Sequence, residues 1–296
     1  MTSARSSERE PPRFGTEPGV PTPSVGPAGA DGPAGAAPVG IANGVAHHSA
    51  PADATHATPR PDETGLLGTR TRLRVALFRS PSGRAVRGTV ILAADRGEPI
   101  ELHADTIAAL AARGFAVLAF DWRGTGGSDR EAVPPGALHV SSFQEYVADL
   151  RAVVRLADDR QMPRPLFLLA AGAGGSVALL AGPSLEREIE RMVIVAPVVD
   201  LARERARGPV AGLAGLVARA LGRGRRPAPA RLDPFASVDD PPGDPGSARQ
   251  ARRREALFAV RPDLRAERPT YGWLAALRRA IGDLGRPRAT EIEIPT

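Results

Sequence analysis

Covalent and proton-transfer chemistry in this 296-residue chain would have to come from hydroxyls, carboxylates and five histidines. The chain has no cysteine, which excludes disulfides, thiolate zinc sites and a sulfur nucleophile but leaves the compartment open. Of the five histidines, His47, His48 and His56 stand in a Pro/Ala/Gly-rich stretch. No rigid frame or carboxylate cluster accompanies them, so no metal site is expected there. His103 opens a helix and His139 lies in a loop beside Ser141, places that suit capping or surface roles. The arginine clusters Arg223, Arg225, Arg226 and Arg252, Arg253, Arg254 raise nucleic-acid binding. No recognition motif or aromatic stacking platform goes with them, and that class is not expected.

The elements that must position any site are legible from hydrophobic pattern. Residues 1–65 are rich in Pro, Ala, Gly, Ser and Thr, a mixture that buries too little apolar surface to offset its ordering entropy, so a disordered tail is expected. Leu73, Val75 and Leu77 alternate with polar neighbours as in a half-buried strand. Thr89 to Ala94, Ala116 to Phe120, Pro165 to Leu169 and Met192 to Val195 are short apolar runs of the fully buried kind. Between them lie helical spacings over His103 to Arg113, from Ser142 through Val154, and over Gly174 to Ala181. Strands alternating with helices predict an α/β fold with a mostly parallel, doubly wound sheet over residues 66–200.

After Asp200 the texture changes. Val210 to Leu221, Gln250 to Ala259 and Gly272 to Leu284 read as helices, and Pro227 to Gly246 as loop, so residues 201–286 are expected to form a helical insertion on the sheet. That segment holds eighteen arginines against nine carboxylates, a larger excess than the +6 of the whole chain. All 39 basic residues are arginine, which we read as genomic base composition. Residues 287–296 close with Glu291-Ile292-Glu293-Ile294-Pro295-Thr296, the alternating start of a further core strand. The N-terminus matches no signal-peptide pattern, and no run of about eighteen apolar residues is present. A cytoplasmic location with at most peripheral membrane contact is therefore expected.

Particular residues sharpen this outline. Asp121-Trp122-Arg123-Gly124-Thr125-Gly126-Gly127-Ser128-Asp129 follows a buried strand, with glycines that permit a sharp reversal. Phe143, Tyr146, Asp149 and Leu150 share a helix, Ala196-Pro197 and Asp200 mark a strand end, and Arg261-Pro262-Asp263-Leu264 precedes Pro269-Thr270-Tyr271-Gly272-Trp273-Leu274. From about Arg70 to Thr296 the chain resembles the α/β-hydrolase family, in its bacterial lysophospholipase and monoacylglycerol-lipase branch of the serine aminopeptidase S33 type. The resemblance implies a helical cap and carboxylic-ester hydrolysis by a Ser, Asp or Glu, and His triad, with no cofactor or metal. It also implies a lysophospholipid or monoacylglycerol ligand.

The chemical positions depart from that family. Its nucleophile stands in Gly-x-Ser-x-Gly on a strained strand-to-helix turn. Here the turn reads Ala170-Ala171-Gly172-Ala173-Gly174-Gly175, which puts Gly172 at the nucleophile and Ala170 at the first glycine. Ser176 falls inside the following helix and reads as a packing serine. All five histidines precede Gly172, whereas the family's base follows the nucleophile, and the chain stops where the strands bearing acid and base would start. The loop expected to give an oxyanion-hole amide reads Asp95-Arg96-Gly97-Glu98, with Asp95 where the family favours glycine. A carboxylate facing inward there would repel a developing oxyanion. The expectation is an incomplete, catalytically inactive member: either a truncated remnant or a pseudoenzyme that binds lipid. The alternative is an active serine ester hydrolase with a non-standard site. The basic segment, with Val210, Leu213, Leu216, Val217 and Leu221, would suit anionic lipid headgroups.

Overall fold

A computed structural model describes residues 59–68, 71–80, 85–130, 136–200, 218, 222–233, 245–266, 268–286 and 292–296. Its core is a six-stranded sheet: β1 (Glu63–Leu67), β2 (Leu73–Phe78), β3 (Gly88–Ala93), β4 (Phe115–Phe120), β5 (Leu166–Ala171) and β6 (Ile189–Val195). The spatial order is β1-β2-β4-β3-β5-β6. β1 and β2 pair antiparallel, as do β2 and β4, whereas β4, β3, β5 and β6 run parallel. The sheet is mostly parallel, as expected.

Helices cover it from two sides. α1 (Ala104–Ala112) places Ile107 against Ala76, Phe78, Leu92, Val117 and Ala119 on one face. α2 (Gln144–Asp159), α3 (Gly172–Ala181) and α5 (Tyr271–Leu284) pack on the other, against Leu73, Val75, Leu77, Ile91, Leu118 and Leu168. α4 (Pro245–Val260) leans on the short 3₁₀ turn Ile100–His103 that precedes α1.

Several local expectations change. β2 is not half-buried: five of its six residues are buried, because β1 and β4 flank it and side chains of both parities meet a core. β1 begins at Glu63, inside the last residues of the segment read as tail, while residues 1–58 lie outside the described residues. The helix read over Val210 to Leu221 also lies outside them, except Ala218. At the C-terminus the Pro295 carbonyl accepts from the Met192 amide of β6 (3.0 Å), and Ile294 is buried against the same core. Within the described residues no helix is long and apolar enough to cross a membrane.

Candidate functional site

β5 delivers the chain to the centre of the sheet, and the turn that follows is sharp. Ala171 ends the strand in extended conformation, and Gly172 has φ +54° and opens α3 at once. That left-handed value costs an L-residue roughly 1–2 kcal/mol, which glycine avoids. Gly174 meets a different demand: a Cβ there would lie 2.4 Å from the Ala94 carbonyl oxygen and 2.5 Å from that of Ala93, so only glycine lets α3 pack so close to the end of β3. Gly175 faces β6, where a Cβ would meet Ile194 and Pro197. Ala170 is fully buried in register with Ala93 and Ile194. A strand-to-helix elbow is therefore present, and its apex carries no side chain.

The loop after β3 fills the space above that apex. Asp95 Oδ1 accepts from the backbone N–H of its neighbour Arg96 (2.7 Å) and from that of Ala173 (2.7 Å). A Cβ on Gly172 would lie 2.1 Å from Asp95 Cγ and 2.2 and 2.5 Å from its two oxygens. The carboxylate thus stands where an elbow side chain would project. Two backbone N–H groups, one from its own loop and one in the first turn of α3, hold it there. Gly97, at φ +71°, completes the turn as the Glu98 amide donates to the Asp95 carbonyl (3.3 Å).

The Arg96 side chain folds over the same place. Its guanidinium lies 5.7 Å from the Trp273 ring centroid and 3.8 Å from Asp233. Burial lowers its pKa, opposed by the charges of Asp233 and Asp95. Below it, Trp122, Thr125, Tyr146, Ala173, Gly174, Val177 and Trp273 line a void with room for about one water at most. Aromatic edges lock this floor: Trp122 meets Tyr146 at 5.3 Å, and Phe143 meets Tyr146 at 5.3 Å and Trp273 at 5.7 Å. Trp273 Nε1 donates to the Tyr146 hydroxyl (3.1 Å) and Trp122 Nε1 to the Ala94 carbonyl (2.8 Å). Burial pushes the Tyr146 phenol up, so it stays neutral.

The glycine-rich loop after β4 supports the site from behind. Asp121 is fully buried; it accepts from Arg74 Nε (2.6 Å) and from the amides of Ile100 (3.0 Å) and Gly127 (2.8 Å). A Cβ on Gly126 would lie 2.1 Å from that carboxylate. Arg74 also grips Glu101 at 2.6 and 2.8 Å, and Arg123 grips buried Asp149 and Glu145.

The structure therefore brings Asp95, Arg96, Gly172 and Gly174 together, with Gly97, Ala170 and Gly175 as supports of the two turns. Sequence reasoning left the direction of Asp95 open, and it points inward. It also missed Trp122, Tyr146 and Trp273 as lining: their types were visible, but nothing in the linear order shows that residues 122, 146 and 273 converge. Ser176 is fully buried and donates to the Val198 carbonyl (2.8 Å), a packing role. His103 lies 3.5 Å from Glu98, and His139 Nδ1 lies 2.9 Å from Thr270 Oγ1. His47, His48 and His56 lie outside the described residues, among which no group of three metal-binding side chains gathers.

The sheet order, the flanking helices and the strand-to-helix elbow define an α/β-hydrolase fold. The chain belongs to the serine aminopeptidase S33 family, whose model matches residues 84–296. It is similar to a monoacylglycerol lipase of Mycolicibacterium smegmatis, 29% identical over 114 residues, which cover 38% of this chain and 39% of that protein. Among solved structures it is similar to a soluble variant of monoglyceride lipase from Saccharomyces cerevisiae (TM-score 0.54, 17% identity, 79% of this chain and 73% of that one). It is also similar to the monoacylglycerol lipase of Paleococcus ferrophilus (TM-score 0.51, 21% identity, 75% of each chain).

Proposed function

We propose that this member of a lipase- and esterase-like family binds a monoacylglycerol or lysophospholipid without hydrolysing it. One observation carries the reading: the Asp95 carboxylate occupies the amides of Arg96 and Ala173 above Gly172. In this fold, acyl transfer needs a hydroxyl at the elbow, and two amides, one after the elbow and one from the β3 loop, left open for the developing oxyanion. Here the hydroxyl is absent and both amides are taken. A second negative charge about 4 Å away would cost about 4 kcal/mol near a protein surface. Losing one hole donor alone slows such reactions by roughly 10²- to 10³-fold.

The lipid class is supported by the monoacylglycerol-lipase relative. Two measurements test the reading on the full chain. A serine-directed fluorophosphonate should leave the protein unlabelled, and stoichiometric labelling would refute the non-hydrolysing part. A lysophospholipid held below its micelle-forming concentration should raise the melting temperature; an unchanged transition would refute the lipid part.

The exposed arginines Arg223, Arg225, Arg226 and Arg268, beside the N-terminus of α5, favour a second contact, with an anionic lipid surface. The same face would then receive a ligand from the bilayer.

A further inference from the structure

Three features converge on one carboxylate. Two N–H groups from different elements, the β3 loop and α3, donate to the same Asp95 oxygen at 2.7 Å each. The space a side chain at position 172 would need is filled by the same group. An apolar void lies against Ala173, Gly174 and Val177, roofed by the Arg96 guanidinium and floored by Trp273. We propose that Asp95 is an autoinhibitory contact: a tethered anion that keeps a carboxylate-binding site closed with the chain's own side chain.

The chemical class follows from what must be displaced. An ester carbonyl is a neutral acceptor and gains less from two amides, an adjacent guanidinium and a helix N-terminus than an ionised carboxylate does. A small free carboxylate offers the two amides the same group that Asp95 does, and it gains the place only when the tethered carboxylate is removed. The inference rests on the non-hydrolysing reading and concerns the two amides alone: the group they hold is a carboxylate rather than an ester carbonyl.

Removing the tethered anion should leave a hole of its own shape. The full chain carrying Asp95→Ala is melted in rising formate, with equal chloride as the ionic-strength reference. The expected result is a saturable upward shift of about 2 °C or more in the variant. Wild type should show none, and neither should Asp95→Asn, whose side-chain oxygen still accepts both amides. A variant that melts alike in formate and chloride, or a wild type that gains as much, overturns the proposal. Should Asp95→Ala fail to fold, hydrogen exchange at the Arg96 and Ala173 amides of wild type decides: slow exchange supports the contact, and exchange at open-loop rates overturns it. Fluorophosphonate labelling of the wild type is read separately, so failure of the non-hydrolysing reading is distinguishable from failure of this one.

Discussion

At the scale of single residues, Gly172 and Asp95 are two halves of one arrangement. Glycine tolerates φ +54°, and its missing Cβ leaves room for the carboxylate. An alanine at 172 pays twice, about 1–2 kcal/mol for the left-handed backbone and a further cost for expelling Asp95 from two amides. Only the second part vanishes once Asp95 is removed. We expect the double-mutant cycle of Gly172→Ala and Asp95→Ala, read by urea unfolding, to show a coupling of about 1–2 kcal/mol. Strict additivity would mean that the two positions do not meet. Gly172→Ser should behave alike in stability and show no esterase activity, since all five histidines precede the elbow in the chain and Asp95 holds both amides.

At the scale of elements, α4 and α5 are held to the core by different means. α5 is capped by Thr270, whose Oγ1 accepts from the Trp273 amide (3.1 Å), and it buries Trp273, Leu274 and Leu277. Thr270→Ala should cost about 1 kcal/mol by chemical unfolding; a change within about 0.3 kcal/mol would mean the cap contributes little. α4 instead docks through polar groups: Arg253 pairs with Asp105 and Arg254 with Glu98 (3.1 Å), while Glu98 also faces His103. Exposed ion pairs contribute little, so the buried imidazole matters more. Burial lowers the His103 pKa, outweighing the opposing pull of Glu98, Asp121 and Asp95. The unfolded chain, with its ordinary value of 6.5, then takes up the proton more readily. Stability from this group is full above pH 6.5 and is lost as pH falls below it, by at most about 1.4 kcal/mol per unit. The melting difference between wild type and His103→Gln should move against wild type between pH 7.5 and 5.5. A difference constant over that range would show that burial does not set this histidine's charge.

At the scale of the whole molecule, charge is unevenly placed. Residues 201–286 carry the arginine excess, and the exposed Arg223, Arg225 and Arg226 sit together on one loop. Vesicles containing phosphatidylglycerol should sediment the full chain at low salt and release it at 0.3 M, with neutral vesicles inert. Replacing those three arginines with alanine should weaken binding by roughly five-fold per residue. Equal binding to neutral vesicles would rule out an electrostatic surface.

Much of this was legible in the linear chain, because burial on both faces of a parallel strand writes itself as an apolar run. β3, β4, β5, β6 and α5 fall within a few residues of their expected places, and the loss of the elbow hydroxyl needs only the letters of residues 170–175. β2 misled because its alternation describes chemistry, whereas its burial depends on strands that flank it in space. The decisive feature of the site lies at that second level. A carboxylate at position 95 is written in the sequence, but its direction is set by amides at 96 and 173 and by a void at 172, separated by nearly eighty residues. Only tertiary structure brings those groups within hydrogen-bonding distance, and so only it decides that the site is already filled.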